Sequence, residues 1–287
     1  MKISIICPLH NGQNYLRKLN KSILNQNLLE NAELEIKYVL TKSQDKTKDI
    51  LDDIGAFYVE IEPSEFSHSR TREMMSKKIS GDILVFISQD IKIKDEFWLK
   101  NLISPIISGE CQASFSRQVG IDNGIEKYTR ERNYPNESRI VSKDDIEKYQ
   151  IRTFFYSDAS SAVKTEIYRK LNAYDGKNMT TNEDMYFAYK LINAGYKIKY
   201  CSDSIVYHSH NFTFRQLFKR YYDTGIFFKD NPYFLNFKSN ESGFDLARYV
   251  FKRAAEERNI RVLLRLIPDF ATRFIAKFIG QHFSKRR

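Results

Sequence analysis

Four short stretches of this chain hold side chains able to bind a divalent cation, accept a proton or grip an anion. The first is Ser88-Gln89-Asp90, which follows the unbroken apolar run Ile83-Leu84-Val85-Phe86-Ile87. A carboxylate just past a buried strand is a natural oxygen ligand for Mg2+ or Mn2+, and it is equally a common cap for the next turn. The second is Asn182-Glu183-Asp184, which opens the segment Met185-Tyr186-Phe187-Ala188. Adjacent acids in a first helical turn are favoured by the helix dipole alone; beside a crevice, such a carboxylate is also suited to take a proton from a hydroxyl. The third is Val206-Tyr207-His208-Ser209-His210, where an extended chain puts His208 and His210 on one face, spaced to converge on a ligand or simply to end a strand. The fourth is Phe66-Ser67-His68-Ser69-Arg70-Thr71-Arg72, with two arginines beside a helix start. Arg70 and Arg72 are placed either for charge-assisted bonds to a diphosphate or as solvated surface charges. No glycine-rich phosphate loop is present, which removes the main support for a kinase or a dinucleotide-binding protein.

The elements that must position these residues alternate between strand and helix over the first two hundred positions, the pattern of an α/β domain. Ile3 to Cys7 reads as a strand stopped by Pro8, and Gln13 to Asn25 carries Tyr15, Leu16, Leu19, Ile23 and Leu24 at helical spacing. Strands follow at Leu34 to Leu40 and Phe57 to Ile61, and helices at Asp45 to Ile54 and Ser69 to Lys78. Ile83 to Ile87 suits a central strand covered on both faces. In open parallel sheets ligands bind beyond the carboxyl ends of the strands, so Asp90 points into the expected crevice. A helix from Glu96 to Ile107 and a strand from Ala113 to Arg117 come next, then a polar stretch without clear period. A helix from Asn182 to Ala194 precedes two strand-like pieces, Lys197 to Cys201 and Ser204 to His208. Past His210 the chain turns aromatic and basic, and Leu246 to Phe283 reads as one or two helices with a breaker at Pro268.

The 287 residues, 42% of them hydrophobic, suffice for one large domain or a domain with an appendage. No apolar run is long enough to span a bilayer, and Met1-Lys2 leads straight into a strand-like segment rather than a signal peptide. Cys7, Cys111 and Cys201 are odd in number and far apart, which fits a reduced, cytoplasmic protein. The net charge of +10 is concentrated in the tail: Arg248 to Arg287 holds 11 Lys/Arg against 3 Asp/Glu, leaving about +2 upstream. Within it Val262, Leu263, Leu266, Ile267, Phe270, Phe274, Ile275 and Phe278 fall mostly along one stripe. Arg258, Arg261, Arg265, Arg273, Lys277 and the terminal Lys285-Arg286-Arg287 supply the charge. That pattern suits an element lying on an anionic membrane surface, or a surface helix packed on its own domain. Because the charge sits in one amphipathic tail, no nucleic-acid partner is expected, although Tyr and Phe are interleaved with it.

Taken in order, these pieces resemble family-2 glycosyltransferases of the GT-A fold, and more narrowly the bacterial rhamnosyltransferases among them. The stretches that carry the resemblance run from Ile3 to about Phe228: Glu65 to Arg72, Phe86 to Asp90, Arg132-Asn133-Tyr134-Pro135, Ser157 to Ala162, Asn182 to Met185, Tyr207 to His210, and Phe218 to Gly225. It implies a Rossmann-like, mostly parallel central sheet with flanking helices at 1–210. It also implies a C-terminal basic helical region at 211–287 that faces acceptor and membrane. By the same resemblance Asp90 is the last acid of the metal-binding Asp-x-Asp turn, and His208 or His210 completes the metal shell around Mg2+ or Mn2+. Asp184, beside Glu183, is the general base. Pro8, His10, Asn11, Thr41, Ser43, Arg72, Ser88, Gln89 and Asp90 would bind the nucleotide-sugar donor. Asp158, Ala159, Asn182, Arg220 and Tyr221 would face the acceptor. Asp45-Lys46-Thr47 looks like the family's Asp-Gly-Thr turn. Two residues depart from the pattern: Ser88 replaces the first acid of the Asp-x-Asp turn, and Thr41 stands where the second strand usually ends in an acid. The rhamnosyltransferase-like members tolerate a Gln-Asp form at that turn. The expected reaction is inverting transfer from dTDP-L-rhamnose to a lipid-linked saccharide, by a peripheral protein of the inner membrane face that is compatible with a homodimer. The alternatives are a UDP-hexose donor and a binding protein without catalysis.

Overall fold

A computed structural model describes residues 1–28, 30–238 and 240–284, so the Lys285-Arg286-Arg287 cluster lies outside the described residues. Among the described residues nine strands form one sheet: β1 (Lys2–Leu9), β2 (Glu33–Thr41), β3 (Tyr58–Ile61), β4 (Ile83–Ile87), β5 (Lys92–Ile93), β6 (Ala113–Val119), β7 (Arg139–Val141), β8 (Ser160–Lys164) and β9 (Ile198–Tyr207). Their order is β3-β2-β1-β4-β8-β6-β9-β5, with β7 also on β9. The β3-β2-β1-β4 half is parallel throughout. β8 runs antiparallel between β4 and β6, and β6 pairs in parallel with β9, so the second half is mixed.

Period-two side-chain alternation explains how β4 is buried along its whole length. Ile83, Val85 and Ile87 join Ile3, Ile5, Leu16 and Trp98 on one side of the sheet. Leu84 and Phe86 join Ile6, Val39, Tyr168 and Phe187 on the other. Two antiparallel steps in a row restore direction, so β4, β6 and β9 all end at the same edge of the sheet. That edge therefore receives Asp90 from beyond β4, Gln118 from the end of β6 and His208 from just past β9.

The two strand-like pieces expected at 197–208 are one strand, β9; its pairing with β6 slips between Ser116 and Arg117, a bulge that accommodates Ser202 to Ser204. The polar stretch without period contains the helix Ile125–Asn133, which buries only Ile125, Tyr128 and Thr129, and strands β7 and β8, too short to leave a periodic signature.

Three helices close the chain: Phe214–Asp230, Asn240–Glu256 and Ile260–Phe283. The break falls at Arg258, whose φ of 54° is left-handed, and at Asn259, which caps the last helix through Val262 N–H at 3.2 Å. Pro268 lies inside that helix and does not break it. Tertiary packing outweighs its missing N–H: Gly225 and Gly280 let two helices approach until a Cβ at either would fall within 2.2 Å of a backbone carbonyl of the other. The tail does not carry one apolar stripe. Val262 and Leu266 are buried with Ile125, Tyr128, Val250 and Ala254, whereas Leu264, Ile267 and Phe274 are 77%, 79% and 70% exposed. Nor is all its charge outward, because Arg273 is buried against Asp269. Among the described residues no helix is long and apolar enough to cross a membrane.

Candidate functional site

A cleft of about 560 Å3 opens at the shared strand edge and reaches under the C-terminal helices. Its walls include Asp90, Asp184, His208 and His210.

Asp90 sits between the two histidines. His208 Nε2 lies 3.4 Å from one carboxylate oxygen and His210 Nδ1 3.6 Å from the other. The three ligand atoms fall within 4.8 Å of one another. His208 is buried, and its Nε2 is a buried atom with no hydrogen-bond partner among the described residues. Such an orphaned nitrogen, aimed at a carboxylate, fits a divalent-cation site, and the mixed imidazole–carboxylate set suits a transition ion such as Mn2+ better than Mg2+, which takes oxygen ligands. Burial, the neighbouring imidazole and two arginines (Arg130 and Arg220) push His210 down to about 4 against the pull of Asp90, so its lone pair is free at neutral pH. Burial raises the proton affinity of Asp90, but the His208 contact and the two imidazoles outweigh it and hold the carboxyl below its usual range.

The second centre is a knot of three acids around one cation. Arg72 is 3% exposed and donates from Nη1 to Glu183 Oε1 at 2.9 Å and to the His68 carbonyl at 3.0 Å. Its Nη2 approaches the Asp158 carbonyl at 3.5 Å. Arg72, expected near the diphosphate, lines the cleft while paired with Glu183. Glu183 is in turn occupied by that pair, which leaves Asp184 as the accessible acid of the two. Burial, and the charges of Glu183 and Asp158, raise the Asp184 pKa well above an ordinary aspartate's. Asp184 Oδ1 accepts the Met185 N–H at 2.8 Å, while Asn182, left-handed at φ 59°, keeps a buried side-chain oxygen without a partner among the described residues.

The segment Phe66 to Arg72 builds this centre. Ser67 caps the helix His68–Ser76 and donates to the Met179 carbonyl at 3.1 Å. Ser69 donates to the Lys177 carbonyl at 2.6 Å and accepts from Met179 N–H at 2.9 Å. Arg70 reaches the Gly176 carbonyl at 3.1 Å. These bonds fix the loop that delivers Asn182-Glu183-Asp184. Asp158, expected on the acceptor side, lines the cleft, and its oxygens accept from Tyr174 at 2.5 Å and Ser161 at 2.8 Å, which ties the carboxylate to the floor. Ala159 lines the cleft and its carbonyl accepts from Ser88 N–H at 3.1 Å.

On the donor side, Pro8, His10, Ser88 and Gln89 line the cleft. Gln89 is turned to the backbone, accepting from His10 N–H and donating to the His10 carbonyl, both at 2.9 Å. Gly12 permits this, since a Cβ there would meet Gln89 Oε1 at 2.9 Å. Asn11, Thr41 and Ser43 form a separate turn behind His10: Ser43 accepts from Asn11 N–H and donates to the Thr41 carbonyl, again at 2.9 Å. Asp45 accepts from Gln13 N–H and from Thr47, and Thr47 accepts from Gly12 N–H, so this turn is locked to the first loop.

On the far side, Arg220 and Tyr221 line the cleft together with Arg273. Arg273 donates to Asp269 at 2.6 Å, to Tyr221 Oη at 2.8 Å and to Glu126 at 3.4 Å. Arg273, Arg130 and Gln118 also line the cleft, without a local signal in the sequence. Arg130 and Gln118 fall in or beside the aperiodic stretch, and Arg273 looked like one more tail charge.

The sequence model of glycosyl transferase family 2 matches residues 4–171, more than half of the chain. The chain belongs to glycosyl transferase family 2. This family-2 glycosyltransferase is 30% identical over 295 residues to the O-antigen chain rhamnosyltransferase RfbN of Salmonella typhimurium, covering 99% of this chain and 90% of that protein. It is 32% identical over 252 residues to the O-antigen chain rhamnosyltransferase WbaN of Salmonella anatum, covering 85% and 78%. Among solved structures, the mannosyltransferase PcManGT of Pyrobaculum calidifontis, in complex with GDP-Man and Mn2+, superposes with a TM-score of 0.64 at 14% identity, covering 99% and 88%. S. aureus TarS 1–349 follows at 0.59 and 17%, covering 98% and 81%. These likenesses establish the GT-A fold of the glycosyltransferase.

Proposed function

We propose that this glycosyltransferase moves L-rhamnose from dTDP-L-rhamnose to a hydroxyl of a lipid-linked saccharide, with inversion, in bacterial surface polysaccharide synthesis. The observation that carries the reading is the convergence on one cleft of an Asp90–His208–His210 centre and a separate carboxylate, Asp184, of raised proton affinity. Rhamnose as the sugar is supported by similarity to the two O-antigen rhamnosyltransferases over most of the chain.

Asp184 takes the proton from the acceptor hydroxyl as that oxygen attacks the anomeric carbon, and its raised pKa makes it the stronger base. Attack opposite the leaving group turns a β-linked donor into an α-linked product through an oxocarbenium-like transition state. Asp90, His208 and His210 would hold Mg2+ or Mn2+, whose chemistry when bound is Lewis-acid neutralisation of the departing diphosphate. Arg130 and Arg220, both close enough to His210 to depress its pKa, add fixed positive charge on that side. Pro8, His10, Ser88 and Gln89 shape the donor wall, with Asn11, Thr41 and Ser43 behind it. Asn182, Ala159, Arg220 and Tyr221 border the acceptor. In this reading residues 1–210 bind donor and metal, while 211–287 complete the acceptor side and meet the membrane.

Membrane contact is assigned to the outward face of Ile260–Phe283, where Ile260, Leu264, Ile267, Phe274 and Phe278 recur on one side, with Arg258 and Arg261 exposed at the helix start. Such a face suits anionic lipid on the inner side of the cell membrane. The test is a donor panel of dTDP-L-rhamnose, UDP-glucose and UDP-galactose with Mn2+ or a chelator, read by release of nucleoside diphosphate. Turnover of dTDP-L-rhamnose that a chelator abolishes is expected. Turnover of a UDP-hexose alone would replace the donor, and none at all would favour a binding protein.

A further inference from the structure

Gln118 holds no acid or base, yet it is 1% exposed at the end of β6 and touches the cation centre from behind. Its Oε1 accepts from His208 Nδ1 at 2.9 Å and from Arg130 Nη1, and its Nε2 donates to Ser157 Oγ at 2.8 Å. A donor arginine on the oxygen side and a hydroxyl acceptor on the nitrogen side leave the amide one orientation. An amide oxygen only accepts, so the His208 ring must carry its proton on Nδ1. Nε2 is then the lone-pair atom, and that is the buried, unpartnered nitrogen 3.4 Å from Asp90.

We propose that Gln118 is a positioning residue that sets the tautomer and ring orientation of His208, and so makes Nε2 a ligand for a divalent cation. The proposal rests on the reading of Asp90, His208 and His210 as the cation site. It also ties that site to the positive charge on the same side of the cleft, because the same oxygen holds the cleft residue Arg130. Partners that orient a ligating imidazole are worth about 10–100-fold in metal affinity.

The test is Mn2+ titration of the full-length protein by calorimetry, without donor or acceptor. Gln118→Leu, which cannot accept from Nδ1, should weaken Mn2+ binding about 10–100-fold. Gln118→Glu keeps an acceptor for both His208 and Arg130 and should bind nearly as the wild type does. Equal affinity in Gln118→Leu, or an equal loss in both variants, overturns the proposal. Should Gln118→Leu fail to fold, 15N-edited imidazole spectra of the metal-free wild type decide: a proton on His208 Nδ1 supports the proposal, and a proton on Nε2 overturns it. Absence of Mn2+ binding by the wild type would instead overturn the cation-site reading, and the imidazole spectrum separates the two failures.

Discussion

Replacing Arg72 by Met keeps most of the side-chain volume and removes the one cation among Glu183, Asp158 and Asp184. Arg72 and Glu183 are both buried, and their contact is 2.9 Å. Breaking a buried pair by deleting one partner leaves an uncompensated charge and costs about 3–5 kcal/mol. For a chain of this length, the usual unfolding entropy per residue converts that into a fall in Tm of about 5–8 °C. The double variant Arg72→Met/Glu183→Gln should recover much of the loss, because a neutral amide does not need the cation. Activity supplies a second readout. Arg72 lowers the proton affinity of Asp184, so its removal should move the acid limb of the pH–rate profile to higher pH. Calorimetric melting of the wild type, single and double variants at neutral pH, with rates from nucleoside diphosphate release, tests both parts. A single variant that melts with the wild type would refute the reasoning. So would a double variant that melts no higher than the single.

Asp184→Asn should lower kcat/KM by about 100–10,000-fold while leaving donor affinity intact in equilibrium binding; a fully active variant would remove Asp184 as the base. In the wild type the base must be ionised, so the rate should fall as pH drops through an apparent pKa well above that of a free aspartate, seen in a kcat/KM profile. Glu35 resists burial through bonds from Ser4, the Ser80 N–H and Lys2, which hold its pKa at about 2. Its stabilisation is therefore present above pH about 4 and lost toward about 2. Glu35→Gln should lower the urea midpoint at neutral pH, and the gap to the wild type should shrink on acidification. Leu264→Glu/Ile267→Glu should abolish co-sedimentation with anionic liposomes without changing Tm, since both side chains already face out; retained binding would exclude that face.

Local signals made several elements legible. The run Ile83 to Ile87 is the central strand with the bounds read from the sequence, because five apolar residues in a row fit a strand covered on both faces. The helix behind Asn182 was also visible, as were Asp90, His208 and His210, which the fold gathers into a cluster able to hold a metal ion, since strand ends and acidic first turns are written in neighbouring residues. Pro268 misled, because a helix held by glycine-mediated packing tolerates a proline that an isolated helix would not.

The chain by itself therefore determined the α/β order, the family and the ionisable groups available to the site. Tertiary structure decided how those groups are used. Arg72 is paired with Glu183, Asp158 is held by Tyr174 and Ser161, and Gln118 stands behind His208. The last helix turns one apolar face inward and the other outward. The Arg72–Glu183 and Gln118–His208 contacts depend on which groups the fold brings together across 90 or more positions of chain, and the two faces of the last helix depend on which side finds a neighbour. Periodicity sees only a few residues at a time, whereas a buried charge or hydrogen bond is settled by whatever the fold brings within about 3 Å.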